Sequence, residues 1–149
     1  MSPAPLGLSA ALVYVLATAR LAIPIVRDTE PDPGAKPQAL GLGALAALLH
    51  AGMLYQVVLS GPGLNLAFFN ALSLFAWVIA VIVLVVSLGK PLENVALLAL
   101  PLAALTAVLT VAYPRQHLVP LDRGFGFALH LIGHPLGAKA LVVDVGAHT

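Results

Sequence analysis

Residues 38–89 read QALGLGALAALLHAGMLYQVVLSGPGLNLAFFNALSLFAWVIAVIVLVVSLG, a stretch without a single Asp, Glu, Lys or Arg. A bilayer core about 30 Å thick is crossed by roughly 20 apolar residues in α-helix. The run is more than twice that length and therefore holds two spans. Ser60-Gly61-Pro62-Gly63 divides it, because glycine and proline together favour a turn over a helix. The sequence predicts one helix over 38–59 and a second over 65–88, closed by Gly89-Lys90-Pro91.

Working outward, residues 94–114 form another charge-free run, which predicts a span over 92–113 ended by Pro114. Pro101 lies inside it and frees a backbone carbonyl, to be met by Thr side chains or by a neighbouring helix. Before the long run stands a further apolar segment, 6–26, with Pro24 weakening its end. The segment between, 27–37, carries three prolines and a glycine among charged residues, which keeps it out of helix. Ala17-Thr18-Ala19 imitates a signal-peptidase site, but such peptides begin with a basic residue and the first one here, Arg20, follows the apolar run. The segment reads as a retained span. The expected fold is all-α: a polytopic membrane protein of four transmembrane helices in 1–113, followed by a short tail.

Composition agrees. The chain is 60% apolar and 9% charged, whereas soluble domains are nearer 45–50% and about 25%. A net charge of +1 offers no basic surface for nucleic acid. The absence of cysteine excludes disulfides, thiolate metal sites and thiol catalysis. Positively charged residues favour the cytoplasmic side of a membrane. Arg20, Arg27, Lys36 and Lys90 fall on one side of the predicted bundle and Arg115 and Arg123 on the other, which predicts an external N-terminus. The tail, 114–149, is apolar in places but interrupted by His130, His134, Pro135, Lys139 and Asp144, in the manner of an aborted fifth span.

His50 is the most informative side chain, because a polar group deep in a span is normally turned toward protein or a cavity. At 100° per residue it shares a face with Gly43, Ala47 and Leu54, and Gly43 with Ala47 makes a small-xxx-small pair suited to close helix approach. His50 is thus a candidate metal ligand or proton-transfer group, or, more plainly, an interhelical hydrogen-bonding residue. Asn70, Ser73 and Trp77 line one face of the next helix, with Phe68, Phe69 and Phe75 around them: a surface for a flat apolar ligand, or simply packing. Ala103 with Ala107, and Thr106 with Thr110, read as packing. His130 and His134 have the i, i+4 spacing of a metal clamp, although Pro135 follows and no third ligand has a suitable spacing. His117 lies just outside the last span, and His148 belongs to the tail. No phosphate loop, nucleophile elbow or pair of intramembrane carboxylates is present, so nothing points to an enzyme.

Leu48-Leu49-His50-Ala51-Gly52-Met53-Leu54-Tyr55-Gln56, followed by Gly63-Leu64-Asn65-Leu66-Ala67-Phe68-Phe69-Asn70-Ala71-Leu72-Ser73-Leu74-Phe75-Ala76-Trp77, resembles the cytochrome c assembly integral membrane family, in its YpjD-, CcsA- and HemX-like branch. Glu93-Asn94-Val95 and the stretch Pro101 to Leu105 resemble the next helix of that branch. The resemblance covers roughly residues 6–113, with Ala128-Leu129-His130 as a further trace. It implies a bacterial inner-membrane protein that handles haem or assists cytochrome c maturation. Haem would be contacted by His50, with His130 as a further candidate, and the partners would be other maturation subunits or further copies of the chain. Members of the family carry more spans than this chain, and the Trp-rich external loop that presents haem in the larger synthases is missing. The resemblance therefore implies the N-terminal half of such a protein, truncated or frameshifted. The rival expectation is a structural or regulatory membrane protein without a cofactor, in which His50 and Asn70 only hold helices together.

Overall fold

The computed structural model describes residues 2–27, 33–59 and 63–120. The chain divides into Met1–Val119 and Pro120–Thr149, and all four helices belong to the first unit. They are α1 (Ala4–Val26), α2 (Ala35–Val58), α3 (Phe68–Ser87) and α4 (Glu93–Ala112). Two three-residue strands, β1 (Gly63–Asn65) and β2 (Leu118–Pro120), pair with each other. Each helix is long and apolar enough to cross a membrane, the shortest at 20 residues spanning about 30 Å. The chain is an all-α polytopic membrane protein.

The helices form an antiparallel bundle in which α1 packs on α2 and α4, and α3 packs on α4 and α2. Its interior is built from small residues. In α1 the buried positions Gly7, Ala10, Ala11, Tyr14, Ala17 and Leu21 recur with the 3.5-residue period of a left-handed seam. Ala39, Ala46, Ala76, Ala80, Ala99 and Ala103 continue the seam on the other helices. Large side chains such as Leu12, Leu48, Phe75 and Leu98 point outward. This inversion follows from the solvent. Lipid tails are as apolar as leucine, so helices associate through close backbone approach at small residues. Gly43 shows how close: a Cβ there would lie 2.6 Å from Leu84 Cδ2.

The observed boundaries differ from those expected. α2 starts at Ala35, taking Lys36 into its first turn, where Nζ pairs with Glu93 at 2.9 Å and donates to the Lys90 carbonyl at 3.4 Å. His50 lies about 22 Å along α2 from its start and about 12 Å from its end, by the 1.5 Å rise per residue. α3 starts at Phe68, because Gly63–Asn65 is drawn into β1. Pro24 and Pro101 stay inside their helices. The threonines after Pro101 bond other carbonyls: Thr106 donates to Ala103, and Thr110 to Thr106 and to Phe69 of α3. The tail beyond residue 120, with His130, His134 and His148, lies outside the described residues.

Candidate functional site

The centre of the site is His50 on α2. Its ring has no exposed surface, and Nε2 lies 2.8 Å from Ser73 Oγ on α3, itself fully buried. Nδ1 has no partner among the described residues. On the α1 side the Tyr14 ring stands edge-on to the imidazole, at 5.9 Å and 80°, and its buried hydroxyl is likewise without a described partner. Three helices thus meet on one polar core in an alanine seam. When Nε2–H donates to Ser73 Oγ, Nδ1 keeps its lone pair.

One helix turn along α3 from Ser73, toward its C-terminal end, Trp77 Nε1 donates to the Ala47 carbonyl of α2 at 2.9 Å. Toward its start, Asn70 Nδ2 donates to the Asn65 carbonyl at 3.2 Å. Asn65 is a hub: its Oδ1 accepts from the His117 backbone at 2.8 Å and from Ala67 at 3.4 Å, and its Nδ2 donates to the Arg115 carbonyl at 3.2 Å. Leu66 N–H donates to the His117 carbonyl at 2.9 Å. These bonds tie the end of α4 to the start of α3.

The expected face Asn70, Ser73 and Trp77 is therefore real. Asn70 and Ser73 are buried and Trp77 half-buried, all turned toward α2 or β1. The aromatic surround differs: Phe68 and Phe75 are 74% and 69% exposed and point away from the bundle, since Phe75 lies about 200° around the helix from Ser73. Only Phe69 turns inward in part, stacking on Tyr113 at 5.5 Å. His117 is exposed, and its backbone rather than its ring is used. Tyr14, Asn65 and Gln56 escaped notice in the sequence. Tyr14 had a legible signal, being the one polar side chain in the small-residue seam of α1.

Family models, curated proteins and solved structures give the chain no match.

Whether these residues suit the haem that the resemblance implies is a question of donor and of space. The donor suits iron: an imidazole with one nitrogen held by a hydroxyl and the other unpartnered has the outer-shell support that metal-ligating histidines carry. The space does not. Tyr14 stands at one edge of the imidazole, Ser73 holds Nε2, and the ring is wholly enclosed. A porphyrin does not fit against His50 in this packing. Asn70 and Trp77 are likewise bonded to protein carbonyls.

Proposed function

We propose that the protein is a non-catalytic inner-membrane component of the cytochrome c assembly kind, serving haem handling and cytochrome c maturation as a helical scaffold. One observation carries this reading. The two segments that resemble the family, 48–56 and 63–77, fold onto each other. Four of their polar side chains, His50, Asn70, Ser73 and Trp77, join α2, β1 and α3 to one another. The resemblance thus marks one stitched structural unit, and His50 is its pin. Haem in this reading is contacted by a partner subunit or by a part of the chain outside the described residues, where His130 lies. The protein sits in a bacterial inner membrane with its N-terminus periplasmic. The end of the bundle that carries Arg27, Lys36 and Lys90 faces the cytoplasm, in accord with the preference of Lys and Arg for that side.

The test is a deletion strain assayed for haem covalently attached to c-type cytochromes. The expected result is a loss of that signal, restored by the wild-type chain and by His50→Gln. An unchanged signal on deletion would favour the second reading, a structural or regulatory membrane protein without a cofactor. That reading is favoured by the polar side chains of Asn70 and Trp77 both meeting protein partners. A Soret band in the detergent-purified protein that His50→Ala abolishes would make His50 a ligand and overturn the scaffold role.

A further inference from the structure

At the end of the bundle where α1 begins and α2 and α4 finish, a cavity of about 420 Å³ opens between the three helices. Its size lies within the 300–1,000 Å³ or so typical of ligand sites. Arg115 and Gln116, just past α4, form part of its wall, Gln56 of α2 another, and Ser2 and Ala4 at the start of α1 a third. Asn65 and Thr110 also line it, but their side chains are already bonded to backbone groups. The chemistry left over is specific. Among the described residues Arg115 has no ion-pair partner and no carboxylate lines the cavity. The one described carboxylate, Glu93, begins α4 and lies about 30 Å away at the far end of that helix. At the start of α1, Ser2 Oγ accepts from the Ala4 N–H at 3.4 Å, and the positive end of the helix dipole adds to the field of Arg115. Gln56 Oε1 is buried without a described hydrogen-bond donor.

A cavity at a span's end that offers, among the described residues, one unpaired guanidinium, no acid and one unsatisfied acceptor calls for an anion that carries a hydroxyl. We propose that it binds a phosphoglycerol group, with the phosphate against Arg115 and a glycerol hydroxyl donating to Gln56 Oε1. Two sources supply that chemistry: the headgroup of an anionic phospholipid, and free glycerol phosphate. Arginine recognises phosphate with paired N–H donors, and a buried acceptor without a donor is costly until a ligand meets it. The site is independent of His50 and of the scaffold role.

The experiment uses the full chain in detergent, with binding followed by native mass spectrometry against three probes: a phosphatidylglycerol, a phosphatidylcholine of the same acyl chains, and sn-glycerol 3-phosphate. The phosphatidylglycerol is expected to bind about tenfold more tightly than the phosphatidylcholine, the factor a charge-assisted contact of about 1.4 kcal/mol gives. Arg115→Gln removes this preference, Arg115→Lys keeps part of it, and Gln56→Leu weakens phosphatidylglycerol without affecting phosphatidylcholine. Arg115-dependent binding of sn-glycerol 3-phosphate with no phosphatidylglycerol preference also supports the site and assigns it to the free phosphate. Because Arg115 is exposed, its substitution leaves the fold intact, as circular dichroism will report. Equal binding of both lipids together with no glycerol phosphate binding, or binding indifferent to Arg115→Gln and Gln56→Leu, overturns the proposal.

Discussion

His50 Nε2 and Ser73 Oγ lie 2.8 Å apart, with neither residue exposing any surface, and join α2 to α3. Interhelical hydrogen bonds in bilayers are worth about 0.6 kcal/mol on average and at most about 1.7. A double-mutant cycle with His50→Leu and Ser73→Ala, read by unfolding in bicelles, is expected to return a coupling in that range. Each single variant should destabilise, since each leaves a buried polar group without its partner. A coupling indistinguishable from zero would mean that the two side chains do not bond in the membrane.

Close approach at glycine predicts a ranking. At Gly7 an added Cβ would meet Val111 Cγ2 at 2.6 Å and Met53 Sδ at 2.7 Å. At Gly43 it would meet only Leu84, at 2.6 Å. Valine is stiff at χ1, whereas the end of a leucine can swing aside. Gly7→Ala should therefore cost more than Gly43→Ala, within the roughly 1–3 kcal/mol typical of overpacking. Leu84→Ala should rescue Gly43→Val. The reverse ranking, or no rescue, would refute this account of the seam.

Much of this architecture was legible before any coordinates, for reasons that name particular residues. Charge-free runs placed the spans, since a bilayer excludes Asp, Glu, Lys and Arg from its core. Small residues at 3–4 spacing placed the buried face of α2, with Gly43, Ala47 and His50 on it as expected. Local periodicity carries no record of pairings between distant segments. The β1–β2 ladder and the Asn65 hub join residues 50 or more positions apart. α2 starts before the charge-free run because Lys36 at a helix end reaches past the apolar zone. The Tyr14 contact needed the packing of α1 on α2, which no pattern within α2 contains.

Trp77, the only tryptophan in the chain, is a built-in reporter of the lipid-facing groove. It is half-buried and lines an apolar cavity of about 370 Å³ with Leu54, Tyr55, Leu64 and Leu74. Its emission should be blue-shifted in vesicles and quenched by brominated acyl chains, but not by aqueous iodide. Trp77→Phe keeps the packing and loses the bond to Ala47, at a cost of about 1 kcal/mol. Iodide quenching with no effect of brominated lipid would place this face in water.

The Lys36–Glu93 pair joins α2 to α4 at 2.9 Å, but its side chains are 38% and 34% exposed. Exposed pairs contribute about 0–1 kcal/mol and are screened by salt. Glu93→Gln should therefore shift the unfolding midpoint only slightly, and raising the salt concentration should shrink the shift further. A loss as large as that expected of Gly7→Ala would show a desolvated pair, and so a deeper position for this end of the bundle.

The absence of cysteine makes topology directly testable, because one introduced thiol is the only one. Gly7 packs against Met53 and Val111, which sets the start of α1 beside the ends of α2 and α4. Lys36 contacts Lys90 and Glu93, which sets the start of α2 beside the α3–α4 connector. Ser2 and Lys90 therefore lie at opposite ends, and a spanning bundle puts a membrane between them. An impermeant maleimide applied to intact spheroplasts should modify Ser2→Cys and spare Lys90→Cys until the cells are lysed. Labelling of Lys90→Cys alone would invert the orientation while keeping the four spans. Labelling of both before lysis contradicts the bundle as a membrane-crossing unit, since no set of four full spans exposes its two ends to the same solution.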